Sequence, residues 1–236
     1  MELQTPLPLT PSPFPEPPRE KPSSSAEFVP DSRSLPTLRS AAASCAGCEL
    51  FRCATQTVFG EGPAHALLMF VGEAPGDQED RTGRPFVGPA GGLLARVLHN
   101  VGISREQVYV TNAVKHFKFT KQGKRRLHVK PSAGEIQACR AWLLAELEAV
   151  RPEMIVCLGA TAAQAFAGRK FSVTENHGQI FNDTPWAPWW MATLHPAALL
   201  RIPDEAARDV ALAGFEADMA RAAAALAGRA RHTHAS

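Results

Sequence analysis

The chain has 236 residues, of which 45% are hydrophobic, and its formal net charge at pH 7 is only +2. A chain of this length can bury one sizeable core and does not call for two domains. The sequence has neither a basic start followed by an apolar stretch nor a run of about eighteen apolar residues, which argues against secretion and against a membrane span. We therefore expect a single-domain protein located in the cytoplasm.

Both ends of the chain are predicted to lie outside this domain. Residues 1–40 hold ten of the 20 prolines, with Ser-rich runs and almost no periodic apolar pattern. Such a composition cannot offset the entropy of ordering, so the segment is predicted to be a disordered tail. Residues 229–236 are predicted to be a flexible tail that frays from the last helix. The domain is expected over residues 41–228.

Between the tails, short apolar runs alternate with helical patterns. Strands are predicted over residues 66–72, 107–114, 153–159 and 189–194. Helices are predicted over residues 89–101, 133–150, 160–167 and 204–227, and Ser132 with Glu135 forms a capping box before the second of them. Parallel neighbouring strands need crossover helices, so this order predicts an α/β fold, a three-layer α/β/α sandwich with a central four-stranded parallel sheet.

In such a sheet, ligands bind outside the carboxyl ends of the strands. The segments that follow the predicted strand ends are 72–76, 112–128, 159–161 and 195–201, and we expect the functional residues there. The first of them begins Gly72-Glu73, where a glycine lets the backbone approach a ligand and an acid can stabilise developing positive charge. The turn lacks the spacing of a nucleotide P-loop. A solvated Gly/Pro turn is the alternative interpretation.

Residues 115–130, which we call the cationic segment, hold seven of the 25 Lys and Arg residues and no acid. In a protein of such low net charge, this density predicts a local positive field that meets phosphate. A solvated basic loop is the alternative. Upstream, Phe86 lies just before a predicted helix, where it can stack on a flat ligand or pack in the core.

The five cysteines, at positions 45, 48, 53, 139 and 157, are too few and too odd in number for a disulfide framework. Cys45 and Cys48 have metal-ligand spacing, and Cys139 is a third candidate. The fourth ligand is left open among Cys53, His116 and Cys157, although Cys157 lies within an apolar strand and is expected in the core. Spacing alone does not distinguish zinc from an iron-sulfur cluster.

Taken together, the motifs resemble the type 4 uracil-DNA glycosylases over residues 45–225. The matching segments are GEAPGDQED, TGRPFVGPAG, VYVTNAVK, an Ala-Cys pair in the helix over 133–150, LGATAA and HPAALLR. KHFKF followed by GKRRLH resembles the UdgX class of this superfamily instead, whose members form a stable covalent link to uracil-containing DNA. Two positions depart from that class, which typically has isoleucine at the position of Leu127 and often has glutamine at that of Ala74.

The resemblance implies a uracil-DNA glycosylase that acts in DNA repair as a monomer on uracil-containing DNA, preferring single strands, and that is captured at C1′ of the sugar. Matching residues are implied to have these roles: catalytic, Glu73, His128 as covalent nucleophile, and His195; uracil-binding, Gly72, Asp77, Phe86 and Asn112; DNA-binding, Lys124, Arg125, Arg126 and Arg201. A [4Fe-4S] cluster is implied, with the ligands Cys45, Cys48, His116 and Cys139.

Three further expectations follow. The charges of Lys124, Arg125 and Arg126 should lower the pKa of His128 and keep it unprotonated. Either Leu199 or Leu200 could fill the gap left by a turned-out base, or pack inward. The rival functions are a hydrolytic, multiple-turnover type 4 enzyme and a non-enzymatic nucleic-acid-binding module that contains zinc.

Overall fold

The structure is a computed structural model that describes residues 24–168, 170–182 and 184–233. Its strands are β1 (Leu68–Gly72), β2 (Val108–Asn112), β3 (Phe119–Gln122), β4 (Arg125–His128), β5 (Met154–Leu158), β6 (Ile180–Phe181) and β7 (Trp189–Thr193). Its helices are α1 (Leu35–Ala42), α2 (Asp77–Thr82), α3 (Pro89–Asn100), α4 (Ala133–Val150), α5 (Ala160–Ala167), α6 (Val173–Asn176), α7 (Pro196–Leu199) and α8 (Glu205–Thr233).

A five-stranded sheet with the order β2-β1-β5-β7-β6 forms the centre of the molecule. The four predicted strands are present and parallel to one another. The fifth strand, β6, pairs antiparallel with β7 at the edge and was not predicted, because two residues are too short to give a periodic pattern. Every residue of β1, β2 and β5 is buried, which explains their continuous apolar sequences.

Helices cover both faces of this sheet, so the predicted three-layer sandwich is confirmed. One core contains buried side chains of α1, α4 and α5, with Trp142 at its centre. The other core, on the opposite face, contains side chains of α3 and α8, including Phe215. The predicted capping box is also present, since the Ser132 hydroxyl accepts from the Glu135 amide and the Glu135 carboxylate accepts from the Ser132 amide.

The predicted domain boundary at residue 40 is wrong. A 3-10 turn (Ser25–Phe28) and α1 pack against α4, and Leu38 is fully buried. Leu35, Leu38 and Ala42 recur at helical spacing and form the apolar stripe that binds this segment to the core. At the other end, α8 continues to Thr233 instead of fraying at residue 229. The predicted disorder of residues 1–23 and the last three residues, 234–236, lie outside the described residues.

A second, two-stranded sheet stands apart from the main one. Strands β3 and β4 form an antiparallel hairpin in which Phe119 pairs with His128. The turn has two residues, Gly123 and Lys124, and Gly123 has a φ of 57°, as a type II′ turn requires at its first central position. The cationic segment, predicted only as a loop, is therefore mostly a β-ribbon. In the described part of the chain, no helix is both long enough and apolar enough to cross a membrane.

Candidate functional site

A cavity of about 820 Å³ lies where β1, β2, β5 and β7 end, at the edge of the sheet where a ligand crevice was expected. Its wall brings together six of the seven residues with an implied catalytic or uracil-binding role and one implied DNA contact: Glu73, Asp77, Phe86, Asn112, His128, His195 and Arg201. Residues separated by more than 120 positions along the chain thus share one site.

Gly72 shapes this cavity from behind. It ends β1 and pairs with Asn112 at the end of β2. A Cβ atom at Gly72 would overlap the Asn112 side-chain oxygen and lie 2.8 Å from the ring of Phe86. Only glycine leaves room for both side chains, so the space that it provides is filled by the protein's own amide and ring.

Phe86 has a backbone conformation that is rare for an aromatic residue. Its φ is 57°, in the left-handed region, and such strain is maintained only where the surroundings impose it. Gly91 makes the conformation possible, because a Cβ there would overlap the Phe86 carbonyl group. The ring faces the cavity and stacks on His195, with 6.5 Å between ring centroids and 25° between planes. Phe86 is therefore half-buried: it packs against the core beside α3 and also forms a wall of the cavity.

Glu79 holds the two loops around the cavity together. Its carboxylate accepts hydrogen bonds from the amides of Gly76 (3.1 Å) and Gly88 (2.7 Å). In the alternative interpretation of this segment, the acids that follow Glu73 belong to a solvated turn. Glu79 and Asp80 are instead buried and bind other segments, which no feature of the local sequence reveals.

Glu73 points into the cavity directly after β1. One carboxylate oxygen, Oε2, accepts a hydrogen bond from the hydroxyl of Thr161, and the other, Oε1, lies 3.8 Å from Nε2 of His128. The main-chain carbonyl of Glu73 accepts from the Val114 amide at 3.0 Å, which fixes the backbone beneath the side chain. Thr161 was not named as a site residue, although it lies in one of the segments where functional residues were expected.

His195 is held as a neutral imidazole with a defined tautomer. Its Nδ1 accepts a hydrogen bond from the Ala197 amide at 3.1 Å, so the ring proton is on Nε2. Burial, and secondarily the charges of Arg201 and His128, lower its pKa to about 4. A neutral His195 can thus donate a hydrogen bond from Nε2 to an oxygen atom that gains negative charge.

His128 comes last on β4 and is the only predicted catalytic residue carried by the hairpin. Its ring stacks on Phe117, with 6.0 Å between centroids. The pKa of His128 is lowered mainly by burial; Glu73 raises it and Arg201 lowers it. The direction agrees with the expectation, but the cause does not, because the loop cations Lys124, Arg125 and Arg126 are not among the charges responsible.

Arg126 anchors the hairpin instead of facing outward. Its guanidinium binds the carboxylate of Asp77 and, at 2.6 Å, that of Asp80, and it lies 5.3 and 5.0 Å from the ring centroids of Phe117 and Phe119. Only 13% of its side chain is exposed. The side chains of Arg126 and Asp77 are therefore partners of each other. Asp77 is still 38% exposed and lines the cavity, so its implied uracil contact and the implied DNA contact of Arg126 stay predictions.

The remaining cations of the segment separate into two groups. Lys115 is buried and paired with Glu146, and Lys118 is paired with Glu135 at 3.0 Å. Lys121, Lys124 and Arg125 are exposed at the turn of the hairpin, and Lys130, which follows the hairpin, is exposed and lines the cavity. The positive field that was expected from all seven cations thus comes from fewer of them.

The exposure of Leu199 and Leu200 shows which of the two leucines packs inward. Leu199 is 1% exposed and packs in the core, whereas Leu200 is 46% exposed and lines the cavity beside Arg201. Leu200 is therefore the side chain available to enter a nucleic acid.

The four implied cluster ligands are all buried on the side of the molecule where α1 and α4 meet: Cys45, Cys48, His116 and Cys139. The pKa of the Cys48 thiol is raised to about 11 and that of Cys139 to about 12, chiefly by burial, and the nearby Cys45 contributes to both in the same direction. These electrostatic effects require the three sulfurs to be close together. Cys157 is buried within β5, as expected of a core residue.

Hydrogen bonds around these side chains suit a metal cluster. The indole N–H of Trp142 donates to Sγ of Cys45 (3.1 Å) and the amide of Lys115 to Sγ of Cys139 (3.3 Å), the type of bond that tunes cluster sulfurs. The Thr57 hydroxyl donates to the Ala42 carbonyl and so accepts from Nε2 of His116, at 2.9 Å. This leaves the Nδ1 lone pair of His116 free to bind a metal.

The geometry of the residues that the structure describes does not show a site for a single metal ion. Within the described ranges, no group of three or more His, Cys, Asp and Glu side chains is arranged to hold one ion. Tetrahedral zinc needs four donors at about 2.0–2.3 Å from one point. The zinc interpretation therefore receives no support from the geometry.

Comparisons with known proteins agree on one family. A model of the Uracil DNA glycosylase superfamily matches residues 59–219, a range that contains every residue of the cavity wall. A type-4 uracil-DNA glycosylase of Thermotoga maritima is 41% identical over 175 residues, which are 73% of this chain and 86% of that protein. The type-4 enzyme of Archaeoglobus fulgidus is 39% identical over 166 residues, 68% of this chain and 80% of that protein. A type-5 uracil-DNA glycosylase of Pyrobaculum aerophilum is 34% identical over 155 residues, 58% of this chain and 64% of that protein.

Proposed function

This chain belongs to the uracil-DNA glycosylase superfamily, and on that premise we propose that it removes uracil from DNA and is then captured covalently by the sugar that it has uncovered. The observation that carries the proposal is the position of His128. Its Nε2 atom lies in the same cavity as the Glu73 carboxylate, 3.8 Å from Oε1. A nucleophile at that position can reach the sugar carbon that the carboxylate stabilises.

DNA first meets the exposed cations of the hairpin. Lys124 and Arg125, with Arg201 at the cavity mouth, bind phosphates, while Leu200 fills the place of the base that leaves the stack. Turning a base out of a strand costs a few kcal/mol, and the cost is lowest for an unpaired strand. We therefore propose that single-stranded DNA is the preferred partner and that a monomer acts in the cytoplasm.

Uracil is recognised by stacking and by its edge. The strained ring of Phe86 supplies a flat surface beside His195. The Asn112 amide, buried at the end of β2, offers a donor and an acceptor to the base edge. A pocket that pairs with one pattern of donors and acceptors rejects bases that leave those groups unpaired.

Cleavage breaks the bond between N1 of uracil and C1′ of the sugar, and the bonding electrons leave with uracil. Glu73 stabilises the positive charge that develops on the sugar. His195, neutral and protonated on Nε2, donates a hydrogen bond to the oxygen of the departing base. Both groups act on charge that exists only in the transition state, which is where binding accelerates a reaction.

Capture forms a bond between C1′ and a ring nitrogen of His128, whose lone pair supplies both electrons. The lowered pKa of His128 keeps that lone pair available at neutral pH. In a hydrolytic enzyme, a water molecule occupies this position and the protein is released. With His128 in place, the product remains attached and the protein acts once.

Cys45, Cys48, His116 and Cys139 would hold a [4Fe-4S] cluster, which supplies a structural cross-link between the segment before β1, the start of the hairpin and α4. None of these four side chains lines the cavity. Anaerobically purified protein should contain about four iron atoms per chain and show broad visible absorbance.

The experiment mixes the protein with uracil-containing single-stranded DNA and runs the products on a denaturing gel. Wild type and the control variant Leu127→Ile, at an exposed neighbouring position, should give a protein-DNA species that survives heat and detergent. His128→Ala should release uracil and give only free abasic DNA. If wild type gives only free abasic DNA as well, covalent capture is wrong.

A second candidate is supported by two observations: two of the three relatives above are named type-4 enzymes, and Ala74 stands where the covalent class often has glutamine. In this case the protein is a hydrolytic, multiple-turnover glycosylase. Free uracil in molar excess over the protein, measured after long incubation, identifies that function. A yield that stops at one uracil per chain identifies capture.

A further inference from the structure

Thr161 makes a contact in the cavity that the function described above does not use. It lies in the first turn of α5 and is 5% exposed, and its hydroxyl donates to Oε2 of Glu73. Gly159, at the N-terminal cap of α5, has a φ of 88°, so the chain turns sharply between β5 and this helix. The turn delivers the Thr161 side chain to the end of β1, where Glu73 begins.

Among the residues that the structure describes, the hydrogen bond of the Thr161 hydroxyl is to Glu73. A carboxylate only accepts hydrogen bonds, so the Thr161 proton must point to Glu73. Charge-assisted bonds of this kind are among the strongest in proteins and fix the direction of both groups.

This bond makes the two oxygens of Glu73 unequal. Oε2 is engaged by Thr161, and Oε1 faces His128 across 3.8 Å, which is longer than a hydrogen bond. A carboxylate without this restraint can rotate about its side-chain bonds and accept a hydrogen bond from the Nε2–H group of His128. The imidazole lone pair would then be on Nδ1, and Nε2 would no longer be a nucleophile.

We propose that Thr161 is a positioning residue, which fixes the Glu73 carboxylate toward the sugar and keeps it from binding Nε2 of His128. The part that concerns Glu73 holds for cleavage by either route, and the part that concerns His128 rests on the proposed covalent capture. Loss of the hydroxyl should therefore slow cleavage and also lower the share of cleaved product that becomes attached to the protein.

The test compares Thr161→Val, which keeps the shape and removes the hydroxyl, with Thr161→Ser, which keeps the hydroxyl. Under single-turnover conditions with saturating protein, cleavage by Thr161→Val should be about tenfold to a hundredfold slower than by wild type, as expected for a lost bond to a charged group. Thr161→Ser should be within about threefold of wild type. The dissociation constant for uracil-containing DNA should not change in either variant, because Thr161 acts on the transition state.

A matched control is Thr193→Val. Thr193 is equally buried and also donates to a buried carboxylate, Asp218 of α8, at 2.6 Å on the other face of the sheet. The cleavage rate of Thr193→Val should stay within about threefold of wild type. This control distinguishes a general effect of losing a buried hydroxyl from the specific effect of losing the Thr161 hydroxyl. Circular dichroism melting of each variant verifies folding.

The proposal is overturned if Thr161→Val cleaves at the wild-type rate, or if Thr161→Ser is as slow as Thr161→Val. This assay tests covalent capture by His128 and the positioning role of Thr161 independently of each other. A wild-type protein that cleaves but gives no attached product contradicts capture, while the Thr161 comparison is still read from the cleavage rates.

Discussion

The two halves of the cationic segment carry similar side chains and have opposite environments. Residues 115–119 are buried or nearly so, and Lys115 and Lys118 each bind an acid of α4. Residues 120–127 form the exposed part of the hairpin, which touches the rest of the domain chiefly through Arg126. The first half is packed into the domain formed by the central sheet and its helices, which we call the frame. The second half is the β3–β4 hairpin, which we call the ribbon; it carries His128, and Arg126 is its anchor to the frame.

The different environments of the two halves show that a run of basic residues does not act as one functional unit. The fate of each cation is decided by whether a buried acid from another element can reach it. Glu146 and Glu135 of α4 engage the first half, and Asp77 and Asp80 of α2 engage a single arginine of the second. The catalytic groups on the sheet are held by the frame, whereas His128 depends on the anchor.

Lys115→Met should have the largest effect on stability. Glu146 is completely buried, and its carboxylate accepts from Lys115, Tyr109, Thr111 and the Gly60 amide. Removing one partner of a buried ion pair typically costs about 3–5 kcal/mol, because the other charge is left uncompensated. Lys124→Met, at the exposed turn, should change the free energy of unfolding by about 0.5 kcal/mol or less. Urea unfolding measures both. Equal stabilities of the two variants would contradict the division of the segment.

Arg126→Ala tests the anchor. Asp80 is fully buried and would lose its guanidinium partner, and the rings of Phe117 and Phe119 would lose the cation that covers them. Adduct formation should fall at least about tenfold because His128 loses its position, whereas uracil release should persist because Glu73 and His195 lie on the sheet. Arg125→Ala, one position away but exposed, is the control. With saturating protein, which compensates for its weaker binding to phosphate, it should form adduct within about threefold of the wild-type rate.

Much of the frame could be predicted from the sequence. Continuous apolar runs between helical patterns are sufficient to predict parallel strands, and the carboxyl ends of such strands meet at one edge. Glu73, Asn112 and His195 each follow a strand end and line one cavity for that reason. The register of the strands, which brings Gly72 opposite Asn112, follows from the same packing.

The ribbon and its anchor could not be predicted in the same way. The alternation in Phe119 to His128 is short, and Gly123-Lys124 is a weaker turn signal than Asn-Gly. Arg126 and its acid partners are separated by 46 and 49 positions. Nothing in the local pattern of either segment indicates that the acids turn inward, so the pairing emerges only when α2 and the hairpin pack together.

The exposed turn should control the salt dependence of DNA binding. Each cation that neutralises a phosphate of a single strand contributes about 0.7 to the slope of log affinity against log salt concentration. The double variant Lys124→Ala, Arg125→Ala should therefore lower the slope by about 1.4. Lys118→Ala is the control, because Lys118 is bound to Glu135 and only 17% exposed. A slope that changes as much with Lys118→Ala would show that the first half of the segment also meets phosphate.

The pH dependence of capture is the smallest expected effect. It tests whether the pKa of His128 is set by Arg201, which lies outside the cationic segment, or by the cations at the hairpin turn. The pKa of His128 is lowered from its ordinary value of 6.5, first by burial and then by Arg201, against an opposite effect of Glu73. His128 is therefore neutral above this lowered pKa, and the attached share of cleaved product should stay constant as pH falls past 6.5 before it declines. The attached share of cleaved product reports on His128 alone, whereas the cleavage rate also depends on other groups. His195 can donate its hydrogen bond in either protonation state.

Arg201→Gln removes a positive charge that disfavours protonation, so the pKa of His128 should rise and the decline should begin at a higher pH. Lys124→Gln should leave the decline where it is, because the charge at the turn has no effect on His128. Saturating protein compensates for the weaker DNA binding of both variants. If Lys124→Gln moved the decline and Arg201→Gln did not, the ribbon's own cations would tune the nucleophile. We expect the opposite, because burial and the charge of Arg201, which follows α7, lower the pKa of His128.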